Sequence, residues 1–227
     1  MINGKRVLAI TLARGGSKRV PNKNIIPING KPLLKYTTDE VKKSKYIDQY
    51  IVSTDSIEIE NICNDMDITY FQREEASDTQ TSAVALWEVQ RVLDKYDYII
   101  EVMCTNPLKT VEDIDGVIEK LDKTGANSVV SVVRIWDHHP LRVKYIENDR
   151  LVNFYGDENP DILNNRRQDF SPPAYVRNGS IYAMTYNQLK IKHIRLGKDT
   201  RPYIMSEERT INIDEPRDLE LAKVLLK

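Results

Sequence analysis

Short apolar runs alternate along the chain with stretches whose apolar residues recur at helical spacing. The apolar runs predict strands at residues 6–12, 49–54, 68–71, 97–103 and 127–133. The stretches between them predict helices at residues 32–45, 57–65, 82–96 and 111–123. Strands that alternate with helices form a mostly parallel sheet with helices on both faces. The pattern therefore predicts an α/β, doubly wound fold.

The alternation is interrupted between residues 135 and 177, where the chain is polar and aromatic. Residues 143–154 predict two strands joined by a turn at Asn148 and Asp149. We therefore expect residues 1–227 to form one domain with a small β-rich insertion at residues 135–177. The earlier pattern resumes at residues 179–184, 201–206 and 210–214 and ends in a helix at residues 216–227.

The insertion is too apolar for a hairpin that stands free in water, where a two-stranded ribbon is only marginally stable. We expect a second copy of the chain to cover it, so that the protein is a homodimer. The residues to be covered are Trp136, Leu141, Val143, Tyr145, Leu151, Phe154 and Tyr155.

Composition limits the classes of function. The chain has 227 residues, 41% hydrophobic and 30% charged, which suits one folded domain with a sizeable core. The two cysteines, Cys63 and Cys104, imply no disulfide framework. No apolar run reaches the roughly 18 residues that span a membrane, and the N-terminus lacks a signal-peptide pattern, so we expect a cytoplasmic protein. A net charge of −1 disfavours general nucleic-acid binding.

Positive charge is concentrated near the N-terminus. The first 38 residues contain eight Lys and Arg and no Asp or Glu, so they carry +8 while the rest of the chain carries −9. This local field suits an anionic ligand. A solvated basic surface is the alternative.

The segment LARGGSKRVPNKN, residues 12–24, places much of this charge directly after the first strand. Gly15 and Gly16 let the backbone approach a ligand at the carboxyl edge of the sheet, where ligands bind. Arg14 suits bidentate binding of phosphate oxygens, and Lys18 and Lys23 add point charges. The spacings of a Walker A loop and of a dinucleotide fingerprint are both absent. The residues alone indicate a phosphate site, such as one for a nucleoside triphosphate.

Together with GKPLL, this segment resembles the opening motif of the sugar nucleotidyltransferases, and it is most similar to the acylneuraminate cytidylyltransferases, or CMP-sialic acid synthetases. The resemblance implies a Rossmann-like nucleotidyltransferase fold with a dimerisation extension. It also implies Mg²⁺-dependent transfer of CMP from CTP to a nonulosonate, a nine-carbon 2-keto sugar acid, with release of pyrophosphate. The similar segments continue in family order as IVSTDSIEI, FQREEASDTQTS, TNPLKT, NRRQDF, NGSIYAM and INIDEPRDLELA.

The resemblance assigns the loop cations to the triphosphate, and it implies that Arg14 and Lys23 are catalytic together with Asp214. Arg73 and Ser82 match positions near the cytosine base, although Ser82 could instead cap its helix. The nucleotide site that the resemblance implies consists of Leu12, Ala13, Arg14, Gly15, Gly16, Ser17, Lys18, Lys23, Asn24, Arg73 and Ser82.

The same resemblance places arginines of the insertion at the sugar carboxylate, for which guanidinium is a good partner. Arg167 is the expected ligand, with a surface pair to Asp169 as the alternative, and Arg177 is displaced by one position from the family pattern. Met103 stands where the family usually has Gln, a change that bears on sugar specificity. The sugar site that the resemblance implies consists of Met103, Thr105, Asn106, Arg166, Arg167, Arg177 and Tyr182.

Asp214 matches the family's metal-binding segment at a strand end, where Asn212 replaces a first Asp. The resemblance therefore assigns Mg²⁺ to Asp214 and Asn212, with the triphosphate supplying further oxygens. The alternative for Asp214 is to cap the final helix, and for Asn24 to form a cap or an Asx turn.

Two other functions stay open at this point. One is a nucleotidyltransferase of the same fold that uses another base or another sugar, such as an eight-carbon keto acid. The other is a catalytically weak nucleotide-sugar-binding protein, which the changes at Met103 and Asn212 leave open. The intact set of Arg14, Lys18 and Lys23 argues against the latter.

Overall fold

The computed structural model describes residues 1–74, 80–154 and 170–226. Its helices are Leu33–Lys43 (α1), Ile57–Asp65 (α2), Ser82–Gln90 (α3), Val111–Thr124 (α4), Tyr186–Lys192 (α5) and Pro216–Leu225 (α6). Its strands are Val7–Leu12 (β1), Pro27–Ile28 (β2), Lys31–Pro32 (β3), Gln49–Thr54 (β4), Tyr70–Gln72 (β5), Tyr98–Val102 (β6), Ser128–Ile135 (β7), Lys144–Glu147 (β8), Arg150–Asn153 (β9), Ala174–Thr185 (β10) and Thr200–Ile204 (β11).

A seven-stranded sheet of order β11-β7-β10-β6-β1-β4-β5 forms the centre of the molecule. The long strand β10 runs antiparallel to both of its neighbours, β6 and β7. The other neighbouring pairs in this sheet are parallel. The predicted α/β fold with a mostly parallel sheet is therefore confirmed.

Helices pack on both faces of this sheet because successive strand residues point to opposite sides. On one face, Val7 and Ala9 of β1 join the buried residues of α4, among them Ile118. On the other face, Leu8 of β1 joins the buried residues of α3 and α5, among them Leu86. This double packing places the carboxyl ends of β1, β4 and β6 together at one edge of the sheet.

Two predicted elements differ from the structure. The predicted helix at residues 82–96 ends at Gln90, whose side-chain amide donates to the Asp94 carbonyl at 3.1 Å as the chain turns toward the buried Tyr96. Residues 210–214 are not a strand of the described sheets. Their Ile211 and Ile213 are buried against α6 and β2, and the alternation of apolar residues reflects this packing rather than strand pairing.

The insertion contains the predicted hairpin. Strands β8 and β9 pair antiparallel, and Asn148 and Asp149 at the turn have φ values of 50° and 61°. Strand β10 begins at Ala174, within the predicted insertion, and pairs there with Ile135 at the end of β7. In the described part of the chain no helix is long and apolar enough to cross a membrane.

Candidate active site

The basic loop, residues 13–24, leaves β1 at the carboxyl edge of the sheet. Its Gly15 N–H donates to Asp55 Oδ1 at 2.8 Å, in the turn after β4. A Cβ atom at Gly15 would lie 2.8 Å from Ser56 Cβ, so the loop can pack here only with glycine. No such contact restricts Gly16, around which the described structure leaves open space. Of the two glycines, only Gly15 is required by packing.

Asn24 joins the end of the basic loop to its beginning. Its side chain is buried, and its Nδ2 donates to the Arg14 carbonyl at 2.8 Å. Its Oδ1 accepts from Cys104 Sγ, at 3.0 Å, in the segment between β6 and α4. The side-chain oxygen and nitrogen thus both have protein partners, so Asn24 shapes the loop whether or not it touches a ligand.

Two clefts meet at the basic loop, and both are lined by Arg14, Ser17 and Lys23. The deep cleft, of about 230 Å³, lies over the edge of the sheet, and the outer cleft, of about 280 Å³, lies toward Asp214. The other residues of the deep cleft are Leu12, Asn24, Arg73, Gln80, Thr81, Ser82, Ala85, Glu101, Met103 and Thr105. The other residues of the outer cleft are Lys18, Arg19, Val20 and Asp214.

A carboxylate faces the cations of the outer cleft. Asp214 Oδ1 lies 2.8 Å from Lys23 Nζ, and its Oδ2 accepts from Asn212 Nδ2 at 2.5 Å. The Asp214 side chain is half exposed, which leaves it accessible to a ligand. Ile213 anchors this segment through a 2.8 Å bond from its N–H to the Thr105 carbonyl. Asn212 and Asp214 consequently project on the side opposite the buried isoleucines.

The final helix is capped by other residues. Glu215 is the N-cap of α6 and forms a capping box with Asp218, whose Oδ2 also accepts from the Asp214 N–H at 3.0 Å. The interpretation of the Asp214 side chain as a helix cap is therefore wrong. In α3 the N-cap is likewise Thr81, whose hydroxyl accepts from the Val84 N–H at 3.4 Å, so Ser82 is not the cap.

Arg73 enters the deep cleft from the end of β5. Its main-chain N–H donates to the Thr54 carbonyl at 2.9 Å, and burial lowers the pKa of its guanidinium. Its Nε is buried without a hydrogen-bond partner in the described structure. A buried guanidinium nitrogen without a partner is costly, and a ligand acceptor in this cleft would remove that cost.

The residues expected at the sugar fall into three groups. Met103 and Thr105 line the deep cleft. Asn106 and Tyr182 are buried and do not line it, and Arg177 is exposed on β10 outside both clefts. Arg166 and Arg167 lie outside the described residues.

Ala13 is buried against α1 and α2 and lines neither cleft. Gly15 and Gly16 do not line them either. The sequence interpretation also missed several cleft residues. Most are neutral and carry no signal, but Glu101 is a charged residue inside a predicted buried strand, and that signal was visible. The missed residues are Arg19, Val20, Gln80, Thr81, Ala85 and Glu101.

Lys109 supports the segment that carries Thr105 into the deep cleft. Its side chain is fully buried, and its Nζ donates to Thr37 Oγ1 at 2.8 Å and to the Asn106 carbonyl. Burial lowers the pKa of Lys109 to about 7. The amine therefore ties this segment to α1 without a bonded carboxylate.

The fit of a divalent cation depends on the donors that the described residues present. Within the described residues, no three His, Cys, Asp or Glu side chains cluster as metal ligands. Asp214 offers one accessible carboxylate, and Asn212 beside it offers an amide oxygen. Mg²⁺ requires about six oxygens and usually keeps several waters, so these two residues fit it when phosphate oxygens supply much of the remainder.

Known proteins are similar to this chain in sequence and in fold. The sequence profile of the family described as Cytidylyltransferase matches residues 8–226. The chain belongs to this family. It is therefore a nucleotidyltransferase.

Relatives of this cytidylyltransferase cover nearly its whole length. It is 30% identical to CMP-N,N'-diacetyllegionaminic acid synthase of Legionella pneumophila, over 98% of this chain and 97% of that protein. It is 30% identical to N-acylneuraminate cytidylyltransferase of Oncorhynchus mykiss, over 96% of this chain and 50% of that protein. It is 25% identical to pseudaminic acid cytidylyltransferase of Campylobacter jejuni, over 97% and 96%.

Solved structures confirm the fold of this cytidylyltransferase. The CMP:2-keto-3-deoxy-manno-octonic acid synthetase complexed with CTP superposes with a TM-score of 0.75 at 19% identity, over 97% of this chain and 98% of that one. The 4-diphosphocytidyl-2C-methyl-D-erythritol synthase from Anaerococcus prevotii superposes with a TM-score of 0.68 at 19% identity, over 99% of both chains.

Proposed function

We propose that this protein transfers CMP from CTP to the anomeric hydroxyl of a sialic-acid-like nonulosonate and releases pyrophosphate. The observation that carries the proposal is the meeting of the two clefts at Arg14 and Lys23, opposite the carboxylate of Asp214. A deep cleft for a nucleoside that opens into a cationic cleft suits a triphosphate held while one P–O bond breaks. Relatives named for legionaminic, N-acylneuraminic and pseudaminic acids support a nine-carbon acceptor.

The residues of the basic loop would hold and neutralise the phosphates. The sugar hydroxyl attacks the α-phosphorus in line and loses its proton to solvent. The bond from the α-phosphorus to the bridging oxygen breaks, and pyrophosphate leaves with that electron pair. Arg14 offers a planar fork of donors to the phosphate oxygens, and Lys18 adds a charge at the outer cleft. Lys23 has three N–H donors, so it can keep its bond to Asp214 and also bind a phosphate oxygen.

Asp214 and Asn212 are the residues that would hold Mg²⁺ beside the phosphates. When bound, Mg²⁺ would neutralise phosphate charge and orient the reacting phosphoryl group. Before the nucleotide arrives, Asp214 is paired with Lys23, which competes with the metal for its oxygens. We therefore expect weak binding of Mg²⁺ by the free protein and adequate binding together with CTP.

The acceptor end of the site would be completed by the insertion. Met103 and Thr105 line the deep cleft, and we assign the sugar carboxylate to Arg167. The hairpin exposes the cross-strand pair Ile146 and Leu151, at 77% and 61% exposure. We propose that a second copy of the chain covers these side chains and that the homodimer completes the sugar site.

The test is pyrophosphate release by the purified protein with CTP, Mg²⁺ and a panel of nine-carbon and eight-carbon 2-keto sugar acids. Release with a nine-carbon acid, and not with the eight-carbon acid, is the expected result. Release only with the eight-carbon acid, or only with another triphosphate, would contradict the proposed substrates. Nucleotide-sugar binding without release would identify a binding protein and refute the enzymatic proposal.

A further inference from the structure

A carboxylate lies in the floor of the deep cleft, and the proposed transfer has no use for it. Glu101 of β6 lines this cleft together with Leu12 and Ala85, although its side chain is only 2% exposed. Its Oε2 accepts from the Arg195 guanidinium at 2.7 Å. Arg195 comes from the segment after α5 and lies over the Tyr182 ring, with its Cζ 4.1 Å from the ring centroid.

The surroundings of this pair are apolar. The same face of the sheet buries Ile10, Leu86 and Met184 around it. Burial raises the pKa of Glu101, and the Arg195 guanidinium opposes that rise. Because two buried charges lose their hydration, such a pair contributes little net stability compared with apolar residues of similar volume. Stability therefore does not account for a carboxylate at this position.

The pair does give the cleft floor one chemical property that its neighbours lack. An ionised carboxylate only accepts hydrogen bonds, whereas Arg73 and Ser82 elsewhere in the cleft can donate them. Met103, the residue after β6, also lines this cleft and offers only a weak thioether acceptor. Glu101 is thus the strong acceptor that β6 presents to this cleft.

Cytosine has the complementary pattern of groups. Its N4 amine donates hydrogen bonds, and a carboxylate is a recognised acceptor for it, while its N3 and O2 accept. Uracil has an oxygen in place of the amine, which a carboxylate would repel. A floor that accepts and walls that donate therefore match cytosine and reject uracil.

We propose that Glu101 accepts a hydrogen bond from the N4 amine of CTP and makes this enzyme select CTP over UTP, with Arg195 as the residue that positions it. The proposal rests on CTP as the nucleotide donor. It assigns base selectivity to an ion pair whose members are 94 residues apart.

The experiment is calorimetric titration of the protein with CTP and with UTP, in the presence of Mg²⁺ and without sugar. For Glu101→Gln we expect the ratio of the two affinities to fall about tenfold or more, because the amide nitrogen can donate to the uracil oxygen and the charge is lost. The matched control is Asp113→Asn. Asp113 is a buried carboxylate with a bidentate partner, Arg209, at 3.0 Å outside both clefts, so its variant should keep the wild-type ratio.

A second variant guards against misfolding. Replacing Glu101 and Arg195 together by Leu removes both charges and should fold, while it should lose the preference for CTP. A folded Glu101→Gln protein with an unchanged affinity ratio would overturn the assignment. A wild-type protein that binds UTP as tightly as CTP would instead refute the cytidylyl donor itself, and the role of Glu101 with it.

Discussion

The regions that we propose for the nucleotide and for the acceptor are built differently. At the nucleotide end, the basic loop is held by buried contacts of Gly15 and Asn24 with segments that follow β4 and β6. In the region proposed for the acceptor, the hairpin of β8 and β9 leaves Ile146 and Leu151 mostly exposed. The first end is fixed by packing within one chain, whereas the second presents an apolar surface with nothing of the described chain over it.

This difference bears on which region governs the chemistry and which governs assembly and sugar binding. A loop tied to the core by several side chains is preorganised for phosphate binding, which lowers the cost of ordering it around the ligand. An exposed apolar pair on a two-stranded ribbon is unfavourable in water and marks an interaction surface. We expect changes at the first end to affect chemistry and changes at the second to affect assembly and sugar binding.

The largest effect is expected at Asp214, which lines the outer cleft. Asp214→Ala should lower turnover about a thousandfold or more, because it removes the carboxylate that faces the reacting phosphates, while the loop cations still bind CTP. Steady-state kinetics and calorimetry with CTP measure the two effects separately. Glu215→Ala, which removes the helix cap instead, should cost about 1 kcal/mol of stability and retain turnover. Near-normal Mg²⁺-dependent turnover in Asp214→Ala would refute the assignment of the metal site to Asp214.

A smaller effect, confined to the acceptor, is expected at Arg167. Loss of a charge-assisted pair with the sugar carboxylate should cost about 1.5–3 kcal/mol, so Arg167→Ala should raise the sugar KM roughly tenfold to a hundredfold. The CTP KM should stay within about twofold. Arg167→Lys keeps the charge without the bidentate fork, so its sugar KM should lie between those of the wild type and of Arg167→Ala. Equal increases in both KM values would argue against the proposed role.

The hairpin is expected to control assembly. Substituting Ile146 and Leu151 with Lys should shift sedimentation at micromolar concentration from dimer toward monomer, because charges would replace the proposed apolar contact. The control is Ile191→Lys on α5. The Ile191 side chain is exposed to a similar degree, 67%, and lies outside the hairpin. A monomeric wild-type protein under these conditions would refute the homodimer.

The basic loop was predictable from the sequence because its signal is local. An apolar run, two glycines and the cations occur within 20 residues, and β1 brings them to the sheet edge without help from distant segments. The hairpin turn was equally local, since Asn148 and Asp149 both take positive φ. The alternation at residues 210–214 misled because Ile211 and Ile213 are buried without a neighbouring strand.

The supporting contacts could not be predicted, because their partners are far apart in the chain. Glu101 and Arg195 are 94 residues apart, and Lys109 and Thr37 are 72 apart. Strand alternation gives the face of a residue but not its depth. For this reason Tyr182, expected at the sugar, is buried beneath Arg195 instead.

The smallest expected effect is a pH dependence of the free energy of unfolding, which arises at the buried Lys109. Burial lowers the pKa of Lys109 from 10.5 to about 7, so between these values the unfolded chain binds a proton that the folded chain does not. The free energy of unfolding should therefore rise with pH in this window, by about 1 kcal/mol per unit from this group. Below pH 7 both states are protonated, and the slope due to Lys109 should vanish.

Lys109→Met should remove that slope, which is measured as the difference between variant and wild type in urea unfolding at pH 7.5, 8.5 and 9.5. Lys5 provides the matched control, since its bond to Asp122 raises its pKa and moves its titration above this window. Lys5→Met should therefore lower stability by a similar amount at all three pH values. If wild type and Lys109→Met showed parallel pH profiles, Lys109 would be protonated throughout the window, and its amine would tie the β6–α4 segment to α1 as a buried cation.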